Sequence, residues 1–174
     1  MVAKPAAPAT AEAIVPASLA RRFGAVVYEG LVLAALLLIA GFAVLPLVGM
    51  PASGSTATTF QVLPPASRAF LFVYYVCVLG LYSLYFWTGG RRTLAMKTWR
   101  LSLRRQDGMP LDAKAAITRY MAAWIGPAAG LAAYAAFGRW GAVAGLLGFA
   151  WGFVDRDRQF LQDRLAGTRI VRAP

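Results

Sequence analysis

Arg22 and Glu29 are the residues from which chemistry could arise. They belong to Arg21-Arg22-Phe23-Gly24-Ala25-Val26-Val27-Tyr28-Glu29, where two cations stand at the mouth of an apolar run and one carboxylate lies inside it. From Phe23 to Met50, Glu29 is the only Asp, Glu, Lys or Arg. At a helical rise of 1.5 Å per residue Glu29 lies about 10 Å beyond Arg22, and the two share a helix face with Ala25. A carboxylate at that depth in a bilayer is costly unless it is paired, neutralised or faces a wet cavity. Two kinds of chemistry fit it: reversible binding of a proton or cation, and a buried ion pair. Tyr75 and Tyr82, seven apart on one face of a later apolar segment, could hydrogen-bond such a group. Aromatic packing and an interfacial belt are the plainer reading of those tyrosines.

The residue types exclude more than they offer. There is no histidine, which removes the commonest general base and the commonest metal ligand. Cys77 is the only cysteine, so no internal disulfide is possible, and its apolar surroundings suit an inert thiol. No serine stands beside a base. The expectation is therefore no enzyme, with no catalytic residues, no metal and no cofactor.

Hydropathy and charge then say where the chain belongs. The 174 residues are 59% apolar, with a mean hydropathy of +0.58, above the usual range of a soluble domain. Eighteen Lys and Arg oppose seven Asp and Glu. In so apolar a chain that excess points to anionic lipid at the cytoplasmic face as partner, and away from nucleic acid. Residues 1–18, rich in Ala and Pro, read as a disordered cytoplasmic tail. Ser18 is a candidate helix cap, with Arg21 and Arg22 snorkelling to head groups.

The expected fold is an all-α integral membrane protein with four transmembrane helices, at about 23–48, 68–88, 117–137 and 140–154. A basic cytoplasmic loop joins the second and third. Residues 49–67, uncharged and rich in Gly, Ser, Thr and Pro, form an outer loop. The loop region 89–119 carries eight Lys or Arg against Asp107 and Asp112. Within it, Trp99 to Arg104 alternates apolar and polar like a strand, Gln106 to Pro110 is a turn, and Asp112 suits a helix N-cap. Gly167 suits a left-handed helix end, after which Thr168 to Val171 can pair with 99–104 as a small two-stranded element. Pro127 should kink or unwind the third helix.

The fourth segment has only about 15 apolar residues, short for a helical crossing. Gly141, Gly145, Gly148 and Gly152 fall on one helical stripe, and Gly126, Gly130 and Ala133 have similar spacing in the third segment. Small stripes let backbones approach, so the two should form a tight hairpin. Four crossings with both termini cytoplasmic place sixteen of the eighteen cations inside, leaving Arg68 and Arg139 in the outer loops.

Residues 19–172 resemble the RDD family of membrane proteins, named for one arginine and two aspartates. The resemblance is carried by the Arg21–Glu29 segment, by Gly89-Gly90-Arg91-Arg92-Thr93-Leu94-Ala95-Met96-Lys97-Thr98-Trp99-Arg100-Leu101, and by Asp163-Arg164-Leu165-Ala166-Gly167-Thr168. It places the family's arginine on Arg22, its first aspartate on Glu29 and its second on Asp163. Glu29 replaces aspartate, Gln162 stands where relatives often have histidine, and Arg92 where many have glutamine. Some members are proposed as cation/proton antiporters. The resemblance thus implies a proton-coupled cation transporter using Glu29. The alternative is a non-transport assembly or lipid-binding module in which Glu29 anchors helices. The expected site is a shared cluster of Arg22, Glu29 and Asp163, supported by Tyr75, Tyr82, Arg92 and Arg119. Four short spans enclose little room, so a transport path calls for a homo-oligomer.

Overall fold

The computed structural model describes residues 17–48 and 63–173. The proposed tail, except for Ala17 and Ser18, and most of the proposed outer loop lie outside those residues. Helix α1 (Leu19–Val48) is long because nothing in its apolar run interrupts helical hydrogen bonding before Pro46 in the last turn. Its first turn closes from the Arg22 N–H to the Ser18 carbonyl at 3.1 Å. Helix α2 (Pro65–Trp87) starts on a proline, whose fixed φ suits a first helical position. It stops where the Thr88 hydroxyl donates to the Leu84 carbonyl at 2.8 Å. Gly89 and Gly90 follow with φ of +61° and +74°, a reversal that a side chain would strain.

The chain then builds a small polar layer beside the start of α1. Helix α3 (Leu94–Thr98) leads into strand β1 (Leu101–Arg105). Strand β2 (Thr168–Arg172) pairs with it antiparallel, Leu101 opposite Arg172 and Leu103 opposite Ile170. The expected two-stranded element is therefore present, and Gly167 precedes β2 at φ +62°. Ala17, Ala25, Ala95, Met96, Leu101, Leu103, Leu111 and Ile170 form the buried apolar core of this layer. Elsewhere large apolar side chains face outward along the long helices, Leu31, Ile39, Phe42 and Leu81 among them. That is the pattern of helices solvated by lipid.

Three segments are long and apolar enough to cross a membrane: Leu19–Val48, Pro65–Trp87 and Ala113–Val154. The third is not one straight rod. Helix α4 (Ala113–Ala123) is capped by Asp112, whose carboxylate accepts from the Ala115 N–H at 2.8 Å. It breaks at Trp124 before α5 (Ile125–Phe137). Pro127 explains the break, since it has no N–H for the Ala123 carbonyl and its ring crowds that oxygen. At Gly138, with φ +65° and ψ −156°, the chain doubles back as a 3-10 helix (Gly138–Leu146) and then α6 (Leu147–Val154). The returning limb lies on α5: a Cβ on Gly126 would stand 2.8 Å from the Gly145 carbonyl oxygen, and one on Gly130 2.9 Å from the Gly145 Cα.

This limb corrects the single-stripe expectation. Gly141 and Gly145 belong to the 3-10 helix and face α5, whereas Gly148 faces Gln162 and Gly152 faces Phe160 and Leu19. Glycine costs an α-helix about 1 kcal/mol relative to alanine. With glycines at 138, 141 and 145 α-winding has little intrinsic support there, and backbone contact sets the tighter coil. A short helix α7 (Leu161–Leu165) then returns the chain to β2.

Candidate functional site

Glu29 sits in the third turn of α1, half-buried, with its two oxygens held separately. The Tyr82 hydroxyl, from the last turns of α2, donates to Oε1 at 2.7 Å. The Thr93 hydroxyl donates to Oε2 at 2.6 Å. Thr93 is fully buried and caps α3, its oxygen accepting from the Met96 N–H at 3.2 Å. One threonine therefore satisfies a helix end and a carboxylate together. Among the described residues no Lys or Arg forms an ion pair with Glu29. The site is an acid held by neutral hydroxyls.

Thr93→Val keeps the shape of that side chain and removes both bonds. Loss of a threonine cap alone costs about 0.5–2 kcal/mol, so Thr93→Val should melt below the wild type in detergent while Thr93→Ser retains most of the stability. Equal melting of the two variants would show that the hydroxyl is idle.

Arg22 has a different neighbourhood. It is fully buried, with its guanidinium wrapped by acceptors from three parts of the chain. Nε donates to the Ala17 carbonyl at 3.0 Å, and Nη2 to the Ile170 carbonyl at 3.0 Å. Nη1 donates to the Arg158 carbonyl at 2.6 Å and to Gln159 Oε1 at 3.2 Å. The loop after α6 is shaped for this. Asp155 Oδ2 accepts the N–H groups of Asp157 and Gln159, and Arg158 turns at φ +53°. Arg22 is a hub rather than the snorkelling cation expected.

Asp163, on α7, is likewise fully buried. Arg119 from α4 donates through Nε to its Oδ1 at 2.8 Å, with Nη2 in ion-pair contact 2.7 Å from the same oxygen, and stacks on the Trp87 ring at 4.3 Å from its centroid. Asp163 Oδ2 is buried with no hydrogen-bond partner among the described residues. Arg22 thus ties α1 to the Arg158–Gln159 loop and to β2, and the Arg119–Asp163 pair ties α4 to α7, two buried charged parts of the frame.

The shared cluster of Arg22, Glu29 and Asp163 is corrected accordingly. Arg22 and Glu29 lie on one face of α1, but two helical turns separate them along the axis, beyond the reach of a direct pair. Each finds partners at its own level. Tyr82 reaches Glu29, where aromatic packing was the plainer reading, and Arg119 joins Asp163. Tyr75 does not reach Glu29: its hydroxyl lies against Gly41, 2.9 Å from where a Cβ would stand. Arg92 is half-buried beside Thr93 and takes part in no ion pair among the described residues. Thr93, Gln159 and Trp87 were not anticipated. Only Thr93 had a local signal, a threonine directly before an apolar helical run.

Neither a curated relative nor a solved structure matches the chain. A family model, described as RDD family, matches residues 16–167, most of the sequence. It spans Arg22, Glu29, Thr93, Arg119 and Asp163 alike, and the chain belongs to the RDD family.

Proposed function

We propose that the chain is a multi-pass protein of the cell membrane that exchanges a proton for a cation at Glu29. The carrying observation is that a carboxylate within a membrane-length helix is held by two neutral hydroxyls and, among the described residues, by no arginine. A permanent cation beside Glu29 would lock it in one charge state. Hydroxyls serve either state, because each can donate to the carboxylate or turn a lone pair toward a bound proton or cation. The Arg22–Arg119–Asp163 frame supplies fixed geometry and Glu29 supplies the exchangeable charge.

Four crossings with both termini on the cytoplasmic side suit this role. A straight helix of 42 residues would be about 63 Å long, twice the hydrocarbon thickness. Folded back at Gly138, the returning limb reaches about 30 Å, because 3-10 winding rises about 2.0 Å per residue where an α-helix rises 1.5 Å. The extended winding thus supplies the length that 15 apolar residues lack. Lys and Arg placement supports the orientation.

A second reading has its own observation. Two short hydrogen bonds tie Glu29 to α2 and to the cap of α3, as a structural joint would. Glu29→Gln separates the two readings, since an amide can still bridge both hydroxyls but cannot exchange a proton. In proteoliposomes with an imposed sodium or potassium gradient, the wild type should move protons and Glu29→Gln should not, with little change in melting temperature. Unchanged proton flux in the variant would sink the transport reading.

A further inference from the structure

We infer that the outer edge of α3 is a binding site for an anionic phospholipid of the leaflet at which α1 begins. The inference uses the topology proposed above but not the transport role of Glu29. Two contacts on α1 set the depth of α3. Thr93 touches Glu29, whereas the Trp99 ring lies against Gly24, so closely that a Cβ there would overlap it. Gly24 and Glu29 are about 7 Å apart along the helix axis. From Thr93 to Trp99, therefore, α3 climbs the wall of α1 toward the membrane surface, with Ala95 and Met96 buried in the core of the polar layer.

The residues left outside change character along that climb. Leu94, the deepest, is 52% exposed. Lys97 and Thr98 come next and are exposed, and Arg100 is exposed at the top. Neither Lys97 nor Arg100 has an acidic partner among the described residues. An apolar contact beneath two unpaired cations, beside a half-buried tryptophan, matches a phospholipid lying alongside α1. Its glycerol and upper acyl chain lie on Leu94 and its phosphate meets Lys97 and Arg100. Tryptophan concentrates at that level of a bilayer, and each cation near an anionic surface adds attraction.

Arg100 allows a test that does not depend on damaging the fold. It adopts φ +52°, a conformation glycine takes without strain. Arg100→Gly should therefore melt no lower than the wild type in phosphatidylcholine while losing affinity for phosphatidylglycerol. In detergent, native mass spectrometry and thermal unfolding should show the wild type preferring phosphatidylglycerol over phosphatidylcholine. Affinity for phosphatidylglycerol should fall roughly fivefold with Arg100→Gly and as much again with Lys97→Gln. Arg139→Gln, at the far tip of the α5 hairpin, should leave the preference intact. Three results would overturn the site: no preference in the wild type, an equal loss in Arg139→Gln, or the same stabilisation from inorganic phosphate alone. Proton flux is read separately, so failure here is distinguishable from failure of the transport reading.

Discussion

Arg22→Ala is expected to be the most damaging single substitution in the protein. It removes the side chain that bonds the start of α1 to the Arg158–Gln159 loop and to β2 at once, and leaves the carbonyls of Ala17 and Arg158 without its donors and that of Ile170 with only the 3.4 Å bond from the Ala17 N–H. Each buried acceptor left without its donor costs about 1–3 kcal/mol, and several together are a large share of a typical 5–15 kcal/mol of net stability. The variant should express poorly and melt far below the wild type in detergent. Arg22→Lys should recover only part of the loss, because an ammonium cannot present the planar fork that reaches these acceptors. Wild-type melting of Arg22→Ala would mean the hub is incidental.

Gly141→Ala is the second large effect, and it arises from one methyl group. A Cβ at Gly141 would run into the Ala133 carbonyl, a backbone group that cannot rotate away. The limbs of the hairpin must separate to admit it, at an overpacking cost of about 1–3 kcal/mol. The other glycines are graded by the same geometry. At Gly145 the new carbon would lie 3.6 Å from the Gly126 carbonyl oxygen, an ordinary contact. At Gly30 it would meet nothing within 4 Å. Gly145→Ala should therefore be nearly neutral. Gly30→Ala, in the body of α1, should raise the melting temperature by removing a poor helix former. Equal effects at 141, 145 and 30 would contradict the packing described.

That gradation shows where sequence reasoning stops. Spacing of small residues was enough to anticipate the hairpin, because close backbone approach demands glycine whatever the winding. It was not enough to distribute the glycines, since the 3-10 stretch changes which ones face α5. The β1–β2 ribbon was legible from the alternation at 99–104 and from Gly167, and the α4 cap from Asp112, because each is a local requirement of the backbone. The setting of Arg22 was not legible. Three of its four acceptors are main-chain carbonyls, which every residue type carries. Snorkelling was a fair expectation for a cation at a helix mouth, and burial won because the chain returns from residue 158 and residue 170 to surround it. Glu29 stood out as an anomaly of charge, yet Thr93, 64 residues away in sequence, could be joined to it only through the fold.

The same division separates stability from function. Arg22, Arg119 and Asp163 are buried and bound by charged hydrogen bonds, so substitutions there act on the frame. Glu29 is half-buried and bound, among the described residues, by hydroxyls alone, so a conservative change there can alter charge while sparing the fold. If Glu29 exchanges a proton for a cation, infrared difference spectroscopy on the reconstituted protein detects the exchange at the carboxyl group itself. Addition of sodium or potassium chloride should remove the absorption of one protonated carboxyl group in the wild type and none in Glu29→Gln. An identical spectral change in both proteins, or none in the wild type under conditions where it moves protons, would contradict the assignment.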